Sequence, residues 1–76
     1  MGLKLTMQTL RVSAGLTAQK VAQELGVSES TVRNWDHGRT EPQLKLGQVA
    51  TLARLYQCSL DDLIAASRNS MEGNRE

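Results

Sequence analysis

The stretch TAQKVAQELGVSESTVRNWDHG, Thr17 to Gly38, reads as two short helices joined by a tight turn. Thr17 suits an N-cap, because its hydroxyl can accept from an orphan N–H of the first turn. Val21, Ala22 and Leu25 follow at helical spacing and mark one apolar face. Gly26 comes next. Glycine adopts the left-handed conformation that ends a helix and lets the chain turn sharply. Val27 is an apolar residue just ahead of the next cap. Ser28 caps the second helix, and Glu29 at its first position suits the positive end of the helix dipole. Val32 and Trp35, three residues apart, face inward. Glu29, Ser30, Arg33 and Asn34 take the opposite face, and none of them is apolar. Gly38 stops the helix.

Two helices around a glycine turn, with small Ala22 where they cross and a polar outer face on the second, form the helix-turn-helix pattern. The order of residues resembles the lambda-repressor/Cro-type (xenobiotic-response-element) DNA-binding family. The similar residues are Leu16-Thr17, Val21-Ala22, Leu25-Gly26-Val27-Ser28, Ser30-Thr31-Val32, Trp35-Asp36 and Gly38. Leu10-Arg11 upstream and Ser59-Leu60-Asp61-Asp62-Leu63 downstream resemble the flanking helices, so the likeness runs from Leu5 to Ala66. It implies an all-α, compact five-helix domain over residues 1–66, with the helix-turn-helix at 17–38 and a flexible polar tail at 67–76.

Composition sets the limits. With 76 residues the chain is one domain, and a chain this short buries only about 60% of its extended surface. It has one Trp, one Tyr and no Phe, which favours aliphatic helix packing over a ligand cavity. No small-molecule effector is therefore expected. No apolar run approaches the roughly 18 residues of a membrane span, and the start does not resemble a signal peptide. One cysteine makes no internal disulfide, which fits a reducing cytoplasm. The net charge is only +1, but it is unevenly placed. Residues 1–54 carry seven Lys/Arg against four Asp/Glu, a net +3, and residues 55–76 carry two against four, a net −2. The basic excess lies with the helix-turn-helix, as a DNA-facing side requires.

Around that motif the chain reads as follows. Met1 to Lys4 is a loose start. Thr6 caps a first helix that turns Met7, Leu10 and Ala14 inward and ends at Gly15. Arg39 to Leu46 is a loop, since Pro42 disfavours helix in the residue before it, and it is longer than the usual family form. A fourth helix spans Gly47 to Tyr56 with a broad apolar stripe of Val49, Ala50, Leu52, Ala53, Leu55 and Tyr56. A fifth begins with the capping box of Ser59 and Asp62 and carries Leu60, Leu63 and Ile64.

Catalysis has little to stand on. His37 and Cys58 are the only residues of their kinds, and they sit in different segments. No cluster has metal-ligand spacing, and no cofactor is expected. Cys58 reads as a small core hydrophobe. His37 suits the negative end of a helix.

The outer face of the third helix is the candidate reading surface, because base edges are read by side chains that donate and accept hydrogen bonds. By resemblance, Glu29, Ser30, Arg33 and Asn34 take the base-reading positions. Arg suits guanine, Asn suits adenine and Glu can accept from cytosine. The competing account is that Glu29 and Arg33, at i and i+4, are a surface ion pair worth about 0.2–0.5 kcal/mol. Gln19, Lys20, Thr31, Arg39, Thr40 and Lys45 are the phosphate candidates. One departure stands out. The family usually carries Gln directly after the cap of the second helix, whereas here Ala18 stands there and Gln19 follows, turned by about 100°. The resemblance also implies a semi-buried ion pair between Arg11 and Asp36.

The function expected is sequence-specific binding of double-stranded DNA by a homodimer that regulates transcription as a cytoplasmic repressor. Leu44, Leu46, Leu52, Leu55, Leu60 and Ile64 are more apolar surface than so small a core readily covers, which points to a dimer through helix five and the loop before helix four. The alternatives are an antitoxin-like or phage-type adaptor whose main partner is a protein, or the targeting part of an enzyme.

Overall fold

The computed structural model describes residues 4–74, which form five α-helices and, among the described residues, no strand. They are α1 (Met7–Ser13), α2 (Ala18–Leu25), α3 (Glu29–Asp36), α4 (Leu46–Leu55) and α5 (Leu60–Asn74). Hydroxyl groups set four of the five starting points. Thr6, Thr17, Ser28 and Ser59 accept from the backbone N–H three residues on, at 3.0–3.1 Å. Each such bond satisfies an orphan donor of a first helical turn. Asp62 returns the bond to the Ser59 N–H at 3.2 Å, which completes a capping box. Helix α4 has Lys45 at its cap instead, and Gln48 reaches back to accept from the Lys45 N–H at 2.9 Å.

Between α2 and α3 the chain turns at Gly26, whose φ of 73° is left-handed. The N–H groups of Gly26 and Val27 both donate to the Ala22 carbonyl, at 2.9 and 3.1 Å. This closes the end of α2 and sets α3 across it. Val21, Ala22 and Leu25 of α2 and Val32 and Trp35 of α3 are buried together with Met7, Leu10, Leu52, Tyr56, Leu63 and Ala66. Each large aliphatic removed from water contributes about 1.5–3 kcal/mol, so the core rests on a handful of side chains. Helix α4 packs on α2, and α5 packs on α1, α3 and α4.

The apolar stripe of α4 is narrower than its sequence implies. The helix begins at Leu46 rather than Gly47, and both Leu46 and Ala50 are exposed, while Val49, Ala53 and Leu55 are half-buried against the core. Cys58 is likewise half-buried against it.

The stretch 67–76 is not a loose tail as far as the described residues reach: α5 continues to Asn74. The reason lies in two polar side chains with distant partners. Buried Ser70 accepts from the Met7 N–H at 3.0 Å, which satisfies a donor at the start of α1. Asn69 donates to the Leu5 carbonyl at 2.7 Å. Met1–Leu3 of the expected loose start, and residues 75 and 76 of the expected tail, lie outside the described residues.

The turn after α3 is pressed against this extension. Gly38 has a φ of 69°, and a Cβ added there would stand 1.9 Å from the Ser70 carbonyl oxygen. At Gly26 an added Cβ meets nothing within 4 Å. Gly26→Ala should therefore cost only the left-handed backbone penalty, about 1–2 kcal/mol. Gly38→Ala should cost about 3 kcal/mol or more, because backbone must also move. Urea unfolding of the two variants measures the difference, and equal losses would show that α5 does not press on the turn.

Candidate nucleic-acid interface

Helix α3 is gripped from behind. Val32 and Trp35 point into the core, and the last residue of the helix, Asp36, is held by Arg11 of α1. Arg11 Nε donates to Asp36 Oδ2 at 2.9 Å, and Nη1 donates to the Leu16 carbonyl at 2.8 Å. One guanidinium thus joins α1, the α1–α2 connection and the end of α3. The pair is shielded from solvent, with side-chain exposures of 14% for Arg11 and 3% for Asp36. Tyr56 lies in the same buried region. Burial first, and then the negative charge of Asp36, push its phenol above the ordinary range, with Arg11 opposing, so Tyr56 stays protonated.

In front, α3 presents only polar side chains. Glu29, Ser30 and Arg33 are exposed and Asn34 is half-buried. Arg33 donates to Glu29 Oε2 from Nε at 2.9 Å and from Nη2 at 2.5 Å. His37, the C-cap, is exposed, and its N–H donates to the Arg33 carbonyl at 3.0 Å.

The six phosphate candidates fall into three places. Gln19 and Lys20 are exposed in the first turn of α2, and Lys20 lies 3.5 Å from Glu24. Ala18 is buried, so the position after the Thr17 cap faces the core and Gln19 is the polar group presented there. Thr31 and Thr40 line one shallow depression with Val27, Trp35 and Gln43. Thr31 is also engaged in the cap of α3, its hydroxyl 2.8 Å from that of Ser28. Arg39 and Lys45 are exposed in and after the loop, and neither makes an ion pair among the described residues.

A family model described as a helix-turn-helix domain matches residues 5–66. The chain belongs to the helix-turn-helix domain family. No curated protein and no solved structure matches it.

Within this helix-turn-helix domain, Gln48 is a residue that the sequence reading passes over. Its side-chain oxygen takes the Lys45 N–H, and its nitrogen donates to the Leu25 carbonyl at 3.0 Å. One amide therefore fixes Lys45 beside the turn between α2 and α3. Its local signal in the sequence is a Gln three residues after a helix cap, half of a capping box with Lys in place of Ser. Among the described residues no group of His, Cys, Asp and Glu could hold a metal ion, and no helix is long and apolar enough to cross a membrane. The Cys58 thiol is pushed up by burial and by Asp62.

Removing one member of a buried ion pair strands the other charge and costs about 3–5 kcal/mol. Asp36→Ala should lower unfolding stability by that amount. Adding Arg11→Met should recover part of the loss, because no buried charge then remains unpaired. Urea midpoints for the single and double variants measure both effects. An Asp36→Ala midpoint equal to that of the wild type would mean that the pair does not tie α3 to α1.

Proposed function

We propose that this helix-turn-helix domain binds duplex DNA sequence-specifically as a two-fold dimer and represses transcription. The observation that carries the reading is α3: a short helix locked from behind by Val32, Trp35 and the Arg11–Asp36 pair, with four polar side chains in front. A helix of this kind can enter a major groove and set hydrogen-bonding groups against base edges. Arg39 and Lys45, which make no ion pair among the described residues, are assigned to phosphates together with Gln19, Lys20, Thr31 and Thr40; such contacts position the protein without reading sequence. Net charge is low, so binding rests on a few well-placed contacts rather than on a broad basic field.

Assembly follows from apolar surface. Leu52 is buried and Leu44 and Leu55 pack against the core, but Leu60 and Ile64 of α5 are 55% and 47% exposed. They line an apolar groove of about 390 Å³ with Pro42, Leu44 and Val49. This groove corrects the expectation that low aromatic content leaves no cavity: aliphatic side chains line it. We assign it to a second copy of the chain, which would set two α3 helices about 34 Å apart, one turn of DNA. Sedimentation at high micromolar concentration should show a dimer, and Ile64→Glu should give a folded monomer. A monomeric wild type that binds one protomer per site would overturn the assignment.

Two substitutions separate reading from positioning. Arg33→Ala should lose about 1–3 kcal/mol of preference at one base pair per half-site, with folding intact. Lys45→Ala should weaken preferred and random duplexes alike and reduce the salt slope by about 0.9, one phosphate. Titrations on both DNAs at several salt concentrations measure this. Equal weakening of both DNAs by Arg33→Ala would make Arg33 a phosphate contact.

A further inference from the structure

The ion pair on the outer face of α3 has a geometry that bears on how Arg33 meets a base. Both of its hydrogen bonds end on one oxygen, Oε2 of Glu29. They use Nε and one N–H of Nη2, which is the side edge of the guanidinium. A guanidinium has five N–H donors in a rigid plane. Three remain: both on Nη1 and the second on Nη2. The two that point outward from the tip of the side chain are parallel and spaced for a bidentate acceptor. The side edge, the other bidentate option, is occupied.

We infer that Glu29 is a positioning residue for Arg33 rather than a reader of cytosine, and that it biases Arg33 toward an end-on approach to guanine O6 and N7. The inference rests on the DNA reading proposed above. Three physical effects follow from the pairing. It removes rotamer freedom from a long side chain before binding, so less is lost when the base contact forms. It leaves Arg33 nearly neutral as a unit with Glu29, which weakens its pull toward phosphate relative to a planar bidentate acceptor. It also occupies Oε2 of Glu29, leaving only one carboxylate oxygen, Oε1, outside the pair. Lys20 and Glu24 offer a contrast. They too are four residues apart on a helix, but their single contact is 3.5 Å and constrains no donor plane.

Selection from a randomised duplex pool, followed by titration of the enriched duplex and its single-base variants, tests this. The wild type should enrich a motif with a guanine that Arg33→Ala ceases to select, a loss of roughly tenfold or more in preference. Glu29→Ala should lower preference at that same guanine several-fold and tighten binding to random duplex. The Glu29→Ala/Arg33→Ala double variant should be no less selective than Arg33→Ala alone. Glu29→Gln, which keeps one acceptor oxygen in place, should recover part of the guanine preference. Both Glu29 and Arg33 are exposed, and far-ultraviolet circular dichroism checks that each variant stays folded. Loss at a neighbouring base pair with the guanine intact would make Glu29 a direct reader and overturn the inference. So would a selection profile that Glu29→Ala leaves unchanged. A wild type that enriches no motif would instead overturn the DNA reading itself, and the role of Glu29 with it.

Discussion

The buried contact between Arg11 and Asp36 is the constraint on which the orientation of α3 depends. The helix has only eight residues, too few to hold itself in water. Its inward face offers Val32 and Trp35, which fix its distance from the core but leave its end free to pivot. Asp36 removes that freedom. It stands at the last turn, and Arg11 grips it while also donating to the Leu16 carbonyl just before α2. A buried charge pair is poor evidence for net stability, since desolvation offsets most of its attraction. Its physical contribution is directional: a planar donor with two fixed partners restricts how α1, α2 and α3 sit relative to one another.

The second brace comes from the far end of the chain. Ser70 and Asn69 place α5 across the start of α1, and Gly38 lets the turn after α3 approach the Ser70 carbonyl without a Cβ in the way. The same turn of α5 therefore touches the beginning of the first helix and the end of the third. In so small a domain the C-terminal helix takes the place of a larger core. The polar composition of residues 67–74 is no obstacle, because their hydrogen-bonding groups meet backbone groups that would otherwise lack partners.

How much of this is legible before folding follows from how far apart the partners lie in the chain. Thr6, Thr17, Ser28 and Ser59 act on an N–H three residues away, and Gly26 acts on its own backbone, so each is visible in a short window. The family likeness extends that reach to Arg11 and Asp36, which composition and periodicity alone leave as two ordinary charges. Ser70 and Met7 are 63 residues apart, and no local pattern in the sequence distinguishes Ser70 from the polar residues around it. Gln48 falls between these cases: its bond to Lys45 is local, but its bond to Leu25 is not. Leu46 shows the limit from the other side. It is as apolar as Leu52, yet 89% exposed, because burial depends on which way the first turn of α4 faces.

The charges on this domain divide by whether they have partners, and that division has a physical consequence for recognition. Arg33 and Lys20 each face a carboxylate on their own helix, whereas Arg39 and Lys45 make no ion pair among the described residues. An unpaired cation brought against phosphate releases a counterion and carries the full salt dependence of that contact. A paired one must share its field with the carboxylate beside it, so it gains less from phosphate and relatively more from an acceptor that fits its donor plane. In the DNA complex proposed above, pairing Arg33 would bias it toward the base edge and leave the loop cations Arg39 and Lys45 for the phosphate backbone. In that proposal a low net charge is compatible with selectivity, because non-specific affinity scales with the cations free to meet phosphate, whereas directional hydrogen bonds distinguish one base pair from another.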